Sequence, residues 1–171
     1  NQLVAQNVAG IAIAANDADA LQPALTEAMD AGIKVISLDS AVNKDSRQTH
    51  IQQADPEKIG RGLIQAAYEM VDGNGGIAVL SATAQATNQN LWIEWMKKEL
   101  EENPEKYANT PLIKVAYGDD DPTKSTSETQ ALLTDSSIKV IIAPTTVGML
   151  AAGKVLQDKQ SDVKLTGLGL P

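Results

Sequence analysis

Short apolar runs alternate with segments of helical periodicity along nearly the whole chain. Six such runs occur, at residues 11–15, 35–38, 77–80, 113–117, 140–143 and 163–168. They consist mostly of Val, Ile, Leu and Ala, so that both faces of each run are apolar, as parallel strands buried on both sides require. The alternation predicts an α/β fold of parallel sheets, with right-handed crossovers and helices on both faces.

Helix termini can be placed between the apolar runs. Asp19 is placed to cap a helix that stops at Gly32. Asp55 precedes Pro56, which suits the first position of the next helix. A long helix begins at Thr87 or Asn88, and two further helices are predicted over residues 124–133 and 146–157.

One segment interrupts this alternation of strands and helices. No full helix fits between Asp39 and Ile51, because the stretch between them is short and polar. We therefore expect a crossover between two α/β lobes: residues 1–50 form the end of a first lobe with the hinge, and residues 51–171 form a second lobe. On this interpretation residues 1–50 contribute two strands and the residues from Ile51 onward contribute five. The chain starts in what looks like the end of a helix and stops directly after a strand-like run, so neither end resembles a natural domain edge. We therefore expect the chain to be a fragment of a longer protein, and a missing signal peptide carries little weight.

The composition excludes several classes of function. The 171 residues carry 14 Lys+Arg and 22 Asp+Glu, a net charge of −8, which argues against binding to a phosphate backbone. Cysteine is absent and His50 is the single histidine, so zinc–thiolate sites, thiol nucleophiles and histidine clusters are excluded. No apolar run approaches the roughly 18 residues that cross a bilayer. We therefore expect no cofactor, no metal, no nucleic acid and no membrane insertion.

Polar residues follow several of the predicted strands, where ligands of parallel α/β sheets bind. Asp39 follows the second strand and can accept two hydroxyl hydrogen bonds from a polyol; the alternative is a structural cap. Residues 81–90 are rich in Ser, Thr, Ala and amides ahead of a helix, which suits a neutral, hydroxyl-rich ligand or an ordinary helix cap. Residues 144–148 are neutral and polar as well.

Other chemically suggestive residues have a plainer interpretation. Trp92 and Trp95 can stack on a sugar, but their helical spacing favours a place in the core. Residues 119–121 are three consecutive aspartates, which favour a solvated turn over a cation site. Residues 73–76 are rich in glycine but lack the Lys-Ser/Thr of a phosphate-binding loop. The Gly-x-Ser-x-Gly motif of a serine nucleophile does not occur, and the single histidine, His50, does not follow a predicted strand. No catalytic pattern is present, so we expect no enzyme.

Longer motifs resemble a known family. Residues 10–21, 31–39 and 141–146 resemble type I periplasmic sugar-binding proteins of ABC transporters. Residues 81–96, 117–122 and 166–171 look like the rhamnose-binding and autoinducer-2-binding branch, and Asn-Gln-Asn followed by Trp-Ile-Glu-Trp-Met is closer to the rhamnose binders. The resemblance implies a type I periplasmic-binding-protein fold, here with one partial and one nearly complete lobe.

The resemblance also implies a set of ligand residues. They are Asp39 from the first lobe and Asn88, Gln89, Pro144 and Thr146 from the second. Many members carry an aspartate after the last strand, where this chain has Gly169 and Leu170, so that contact is not expected here.

The implied function is an extracytoplasmic solute receptor, periplasmic or a cell-surface lipoprotein. It would bind a monosaccharide, rhamnose in the first place, in an interlobe cleft, act as a monomer at full length, and deliver the sugar to an ABC transporter permease. Alternatives are an autoinducer-2 receptor of the same branch, or the ligand-binding core of a LacI-type repressor, which the acidic balance disfavours. A doubly wound enzyme is the third class, disfavoured by the missing catalytic pattern.

Overall fold

Seven strands and six α-helices alternate along residues 2–169, the part of the chain that the computed structural model describes. In chain order these elements are α1 (Gln2–Ala5), β1 (Gly10–Ile13), α2 (Ala18–Asp30), β2 (Lys34–Leu38), a short 3₁₀-helix (Lys44–Ser46), β3 (Thr49–Ile51), α3 (Pro56–Met70), β4 (Gly76–Ser81), α4 (Thr87–Glu102), β5 (Leu112–Tyr117), α5 (Pro122–Leu132), β6 (Ile138–Ala143), α6 (Thr146–Asp158) and β7 (Lys164–Gly167). The predicted alternation of strands and helices is confirmed.

The chain divides into two compact units. The first unit comprises the residues up to Asp55 together with Gln85–Asn90, which include the first turn of α4. The second unit comprises Pro56–Ala84 together with the residues from Leu91 onward.

The second unit is built on a four-stranded parallel sheet in the order β5-β4-β6-β7. Its central strand β4 is buried along its entire length, and its side chains alternate between the two faces. Ile77 and Val79 pack with side chains of α3 and α4, whereas Ala78 and Leu80 pack with side chains of α5 and α6. Helices therefore cover both faces, as the wholly apolar centre of β4 requires.

The first unit contains a three-stranded parallel sheet in the order β1-β2-β3. Val35 of β2 is fully buried and packs with Leu25 and Ala28 of α2. On the opposite face, Leu38 and Ile51 are paired in register and are 41% and 53% exposed. Within residues 2–169, the apolar side chains of this sheet are thus buried mainly on the face that α2 covers.

The number of strands in each sheet differs from the expectation. Ile51 ends β3, and β3 pairs with β2 in the first sheet. The described residues therefore form three strands in the first sheet and four in the second, instead of two and five. The sequence conceals β3 because Thr49 and His50 are polar and a strand of three residues is too short to show a period.

The start of α2 also differs from the expectation. Asp17, not Asp19, is its N-cap: Oδ1 of Asp17 accepts hydrogen bonds from the backbone N–H groups of Asp19 (2.9 Å) and Ala20 (3.1 Å). Asp19 lies in the first turn, where its carboxylate accepts a hydrogen bond from Asn43 at 2.8 Å. Gly32 has a φ of 85° just beyond the helix, in agreement with the predicted stop.

No helix among residues 2–169 combines the length and apolar character that crossing a membrane would need.

Candidate functional site

The strand order of the second sheet reverses at β4, because β5 lies on one side of it and β6 on the other. In open parallel sheets, ligands bind beyond the carboxyl ends of the strands at such a reversal. Pro144 directly follows β6 and is buried, and Thr146 begins α6 and is half-buried. The structure therefore places these two predicted site residues at the reversal point of the second sheet.

Thr145, between these two residues, is fixed by a carboxylate from the neighbouring loop. It occupies the N-cap position of α6 but makes no capping hydrogen bond with its side chain. Its hydroxyl instead donates to Oδ1 of Asp120 at 2.5 Å. The loop that follows β5 is thereby tied to the start of α6.

The three consecutive aspartates after β5 each have a protein partner. Asp119 forms an ion pair with Lys124 at 2.5 Å, and Asp121 caps α5 by accepting a hydrogen bond from the Lys124 backbone N–H at 2.7 Å. Asp120 receives the Thr145 hydroxyl. Among the described residues, no cluster of three or more His, Cys, Asp or Glu side chains has the arrangement to hold a metal ion.

Asp39 follows β2 directly and has a φ of 58°, in the left-handed region that aspartate tolerates better than most residues. It is half-buried. Its Oδ1 accepts two amide hydrogen bonds, one from Nε2 of Gln53 at 2.5 Å and one from Nδ2 of Asn88 at 2.9 Å. All three residues belong to the first unit, so the structure brings two predicted site residues, Asp39 and Asn88, into direct contact.

Thr87 holds the segment that carries Asn88. Its Oγ1 accepts a hydrogen bond from the backbone N–H of Ala41 at 2.8 Å and lies 3.1 Å from Oγ of Ser40, which is buried. Ser40 is itself fixed, because its carbonyl oxygen accepts a hydrogen bond from Ala15 at 3.2 Å. The first turn of α4 and the chain after β2 are thus fastened to each other beside Asp39.

The amide of Asn88 is oriented by its own neighbour. Its Oδ1 accepts the backbone N–H of Gln89 at 2.7 Å, which leaves Nδ2 as the group that faces Asp39. Gln89 itself is 6% exposed. Of the two amides predicted for the site, Asn88 is therefore the more accessible.

The two tryptophans differ in their surroundings. Trp92 is 4% exposed and belongs to the core of the second unit, as its spacing indicated. Trp95 is half-buried, with Nζ of Lys98 4.2 Å and the guanidinium carbon of Arg61 5.1 Å from its ring centre. Both rings are engaged by the protein itself.

Gln53 was missed by the sequence analysis although it contacts Asp39. The signal that would have found it is the register of β3: Leu38 pairs with Ile51, so the residues after each strand emerge side by side at one edge of the sheet. Recognising Thr49–Ile51 as a strand would have placed the two glutamines that follow it, Gln52 and Gln53, near Asp39.

In each of the two units, polar side chains follow the carboxyl ends of parallel strands, the place where α/β proteins bind their ligands. The chain belongs to the periplasmic binding protein family: the model of the periplasmic binding protein domain matches residues 1–171. The fold is that of the type I members of this family.

Solved structures of ABC transporter proteins are similar to the chain. A solute-binding protein from Clostridium phytofermentas with bound L-rhamnose is 53% identical over 100% of this chain and 54% of its own, with a TM-score of 0.93. A sugar ABC transporter protein from Actinomyces odontolyticus is 40% identical over 100% of this chain and 55% of its own, with a TM-score of 0.66. LsrB from Clostridium saccharobutylicum, in complex with AI-2, shares the fold at 24% identity, over 99% of this chain and 55% of its own, with a TM-score of 0.87.

The chain spans about half the length of these solved structures. Proteins of this kind bind solutes for ABC transporters outside the cytoplasm and are not enzymes.

Proposed function

We propose that the chain is part of an extracytoplasmic sugar receptor that binds a monosaccharide, L-rhamnose in the first place, and delivers it to the permease of an ABC transporter. The residues up to Asp55 and most of the residues from Pro56 onward belong to different lobes of that receptor. The receptor catalyses no reaction; what it supplies to the permease is its own sugar-bound conformation.

The observation that carries the proposal is the Asp39 carboxylate at the end of β2. Oδ1 is held by two amides, and within residues 2–169 Oδ2 accepts no hydrogen bond. An ionised carboxylate oxygen can accept two hydroxyl hydrogen bonds, and such charge-assisted bonds are stronger than neutral ones. Vicinal hydroxyls of a sugar ring supply donors of this kind.

The remaining site residues suit a neutral ligand. Asn88, Gln89 and Thr146 carry side chains that both donate and accept, and Pro144 is apolar. L-rhamnose, a deoxy sugar, offers four hydroxyls and one methyl group, which such a mixture can recognise. The choice of L-rhamnose is supported by 53% identity to a protein that was crystallised with this sugar.

Localisation and assembly follow from the same proposal. The receptor acts in the periplasm or as a cell-surface lipoprotein, as a monomer, with the sugar and the permease as its partners. It needs no cofactor and no metal.

Calorimetric titration of the protein at the length of its relatives tests the proposal. We expect L-rhamnose to bind with micromolar affinity, and L-mannose, which adds a hydroxyl at the methyl carbon, to bind at least about tenfold more weakly. Tight binding of AI-2 without binding of L-rhamnose would make the protein an autoinducer-2 receptor instead. Absence of binding to every sugar would overturn the proposal.

A further inference from the structure

Gln53 donates to the same oxygen of Asp39 as Asn88. Nε2 of Gln53 lies 2.5 Å from Oδ1, and Nδ2 of Asn88 lies 2.9 Å from it. Two donors bind Oδ1, and no donor among residues 2–169 binds Oδ2. The two oxygens of the Asp39 carboxylate therefore differ in their hydrogen bonds. Oδ1 is bound to the protein, and Oδ2 is the oxygen available to a ligand.

The geometry points to Gln53 as a positioning residue of the sugar site; this inference rests on the proposed function. Rotation about the last torsion of an aspartate is broad and is fixed chiefly by hydrogen bonds. Asn88 alone would leave the carboxylate held by one hydrogen bond. With Gln53 in place, the plane of the carboxylate is set before the sugar arrives, so less freedom is lost on binding.

The backbone that carries Gln53 is itself anchored. Ser37 of β2 is fully buried, and its Oγ accepts a hydrogen bond from Nη1 of Arg47 at 3.0 Å. Since the guanidinium can only donate, the Ser37 hydroxyl is free to donate its hydrogen to Nδ1 of His50, 2.8 Å away. Nε2 of His50 then carries a hydrogen and donates it to Oε1 of Gln52 at 3.1 Å. The bond between Ser37 and His50 fastens β3 to β2 ahead of Gln53, whereas the bond between His50 and Gln52 is local and does not connect the two strands.

Gln52 and Gln53 therefore form a matched pair for an experiment. Both are exposed and follow β3, but Gln52 contacts His50 whereas Gln53 contacts Asp39. Gln52→Glu keeps the acceptor that faces His50. Gln53→Glu replaces the donor to Asp39 with a second carboxylate at hydrogen-bond distance.

The test is calorimetric titration of L-rhamnose into the protein at the length of its relatives. We expect Gln53→Glu to weaken binding by at least about tenfold because two carboxylates then face each other, and Gln52→Glu to stay within about twofold of the parent protein. Gln53→Ala should weaken binding by about three- to tenfold through the lost hydrogen bond. Because Gln53 is exposed, the melting temperatures should change little.

A double-mutant cycle separates positioning from a direct contact of Gln53 with the sugar. If Gln53 acts through Asp39, Gln53→Ala has no further effect once Asp39→Ala is present. Additive losses would show that Gln53 contacts the sugar directly. Equal affinities of Gln53→Glu and Gln52→Glu would show that Gln53 has no role. Either result overturns this inference but leaves the proposed function standing. If the parent protein does not bind L-rhamnose, the proposed function fails and the inference fails with it.

Discussion

Gly60 of α3 lies directly against the backbone carbonyl of Trp92 in α4. A Cβ atom at position 60 would lie 2.5 Å from that oxygen and 2.5 Å from Cβ of Trp95. Both neighbours are at or near backbone, so neither can move aside as the end of a flexible side chain would. The close approach of α3 and α4 thus depends on a residue without a side chain.

Gly60→Ala should therefore destabilise the chain. Forcing a methyl group into this contact costs about 1–3 kcal/mol. Gly62 provides the control in the same helix, because a Cβ there would meet no atom within 4 Å. Gly62→Ala should stabilise the chain by about 0.5–1 kcal/mol, since alanine favours the helix. Urea unfolding of both variants checks this, and equal effects of the two substitutions would contradict the packing described here.

A partly buried cluster of ion pairs also joins α3 to α4. The Arg61 guanidinium binds the carboxylates of Glu99 and Glu102 at 2.7 Å each, and that of Glu57 at 2.9 Å. Glu99 also accepts the hydroxyl of Tyr107 at 2.9 Å. Burial by itself raises the pKa of Glu99, but the hydrogen bonds from Arg61 and Tyr107 outweigh it, and the net effect lowers the pKa below its usual value of 4.5.

This pKa shift predicts a pH dependence of stability. A carboxyl group whose pKa is lower in the folded chain than in the unfolded chain stabilises the fold above its unfolded pKa. That contribution is lost as the pH falls through the folded pKa. Glu99→Gln should lower the free energy of unfolding by about 1 kcal/mol at pH 7. As the pH falls below 5, this variant should lose less stability than the parent chain. Urea unfolding measured at a series of pH values checks both expectations.

Glu101→Gln is the control for the Glu99 prediction. Glu101 lies in the same turn of α4 but is exposed and outside the Arg61 cluster. Its variant should keep the pH dependence of the parent chain. Identical curves for Glu99→Gln and Glu101→Gln would rule out a role for Glu99 in acid sensitivity.

Asp39→Ala should weaken sugar binding in the protein at the length of its relatives. Removing a charged acceptor leaves ligand hydroxyls without a partner, at about 1–3 kcal/mol, or roughly 5- to 150-fold in affinity. Asp39→Asn should also weaken binding while it keeps a residue that tolerates the left-handed backbone. Asp45→Ala, an exposed carboxylate in the 3₁₀-helix of the same unit, is the control. Unchanged affinity in calorimetry would reduce Asp39 to a structural cap.

Much of the fold follows from local sequence. The strand centres were predictable because a wholly apolar run such as residues 140–143 is typical of a parallel strand buried on both faces. The start of α3 was predictable because Pro56 fits a first helical position. The N-cap of α2 was not, since Asp17 and Asp19 are equally good caps two residues apart and only the packed helix selects one.

The site was less predictable than the fold. Asp39 and Asn88 were selected one by one, but their hydrogen bond spans 49 residues of sequence and no spacing rule reveals it. The place of Gln53 in the site was not predicted, because the strand before it is short and polar and no local pattern marks its position at the sheet edge. Side chains that meet through tertiary structure require the register of the sheet, which local patterns do not contain.

The 171-residue chain by itself should bind L-rhamnose much more weakly than the protein at the length of its relatives. A sugar in a receptor of this class is enclosed on most sides, and the chain spans about half of the solved relatives. Losing half of about 10 hydrogen bonds, each contributing roughly 0.5–1.5 kcal/mol, weakens binding by about 2.5–7.5 kcal/mol. From a micromolar receptor at about −8 kcal/mol, the dissociation constant would rise to about 0.1 mM at the tightest. Titration of L-rhamnose into the ¹⁵N-labelled chain, followed by NMR, measures this directly. Saturation at micromolar sugar would show that these residues alone hold the complete site.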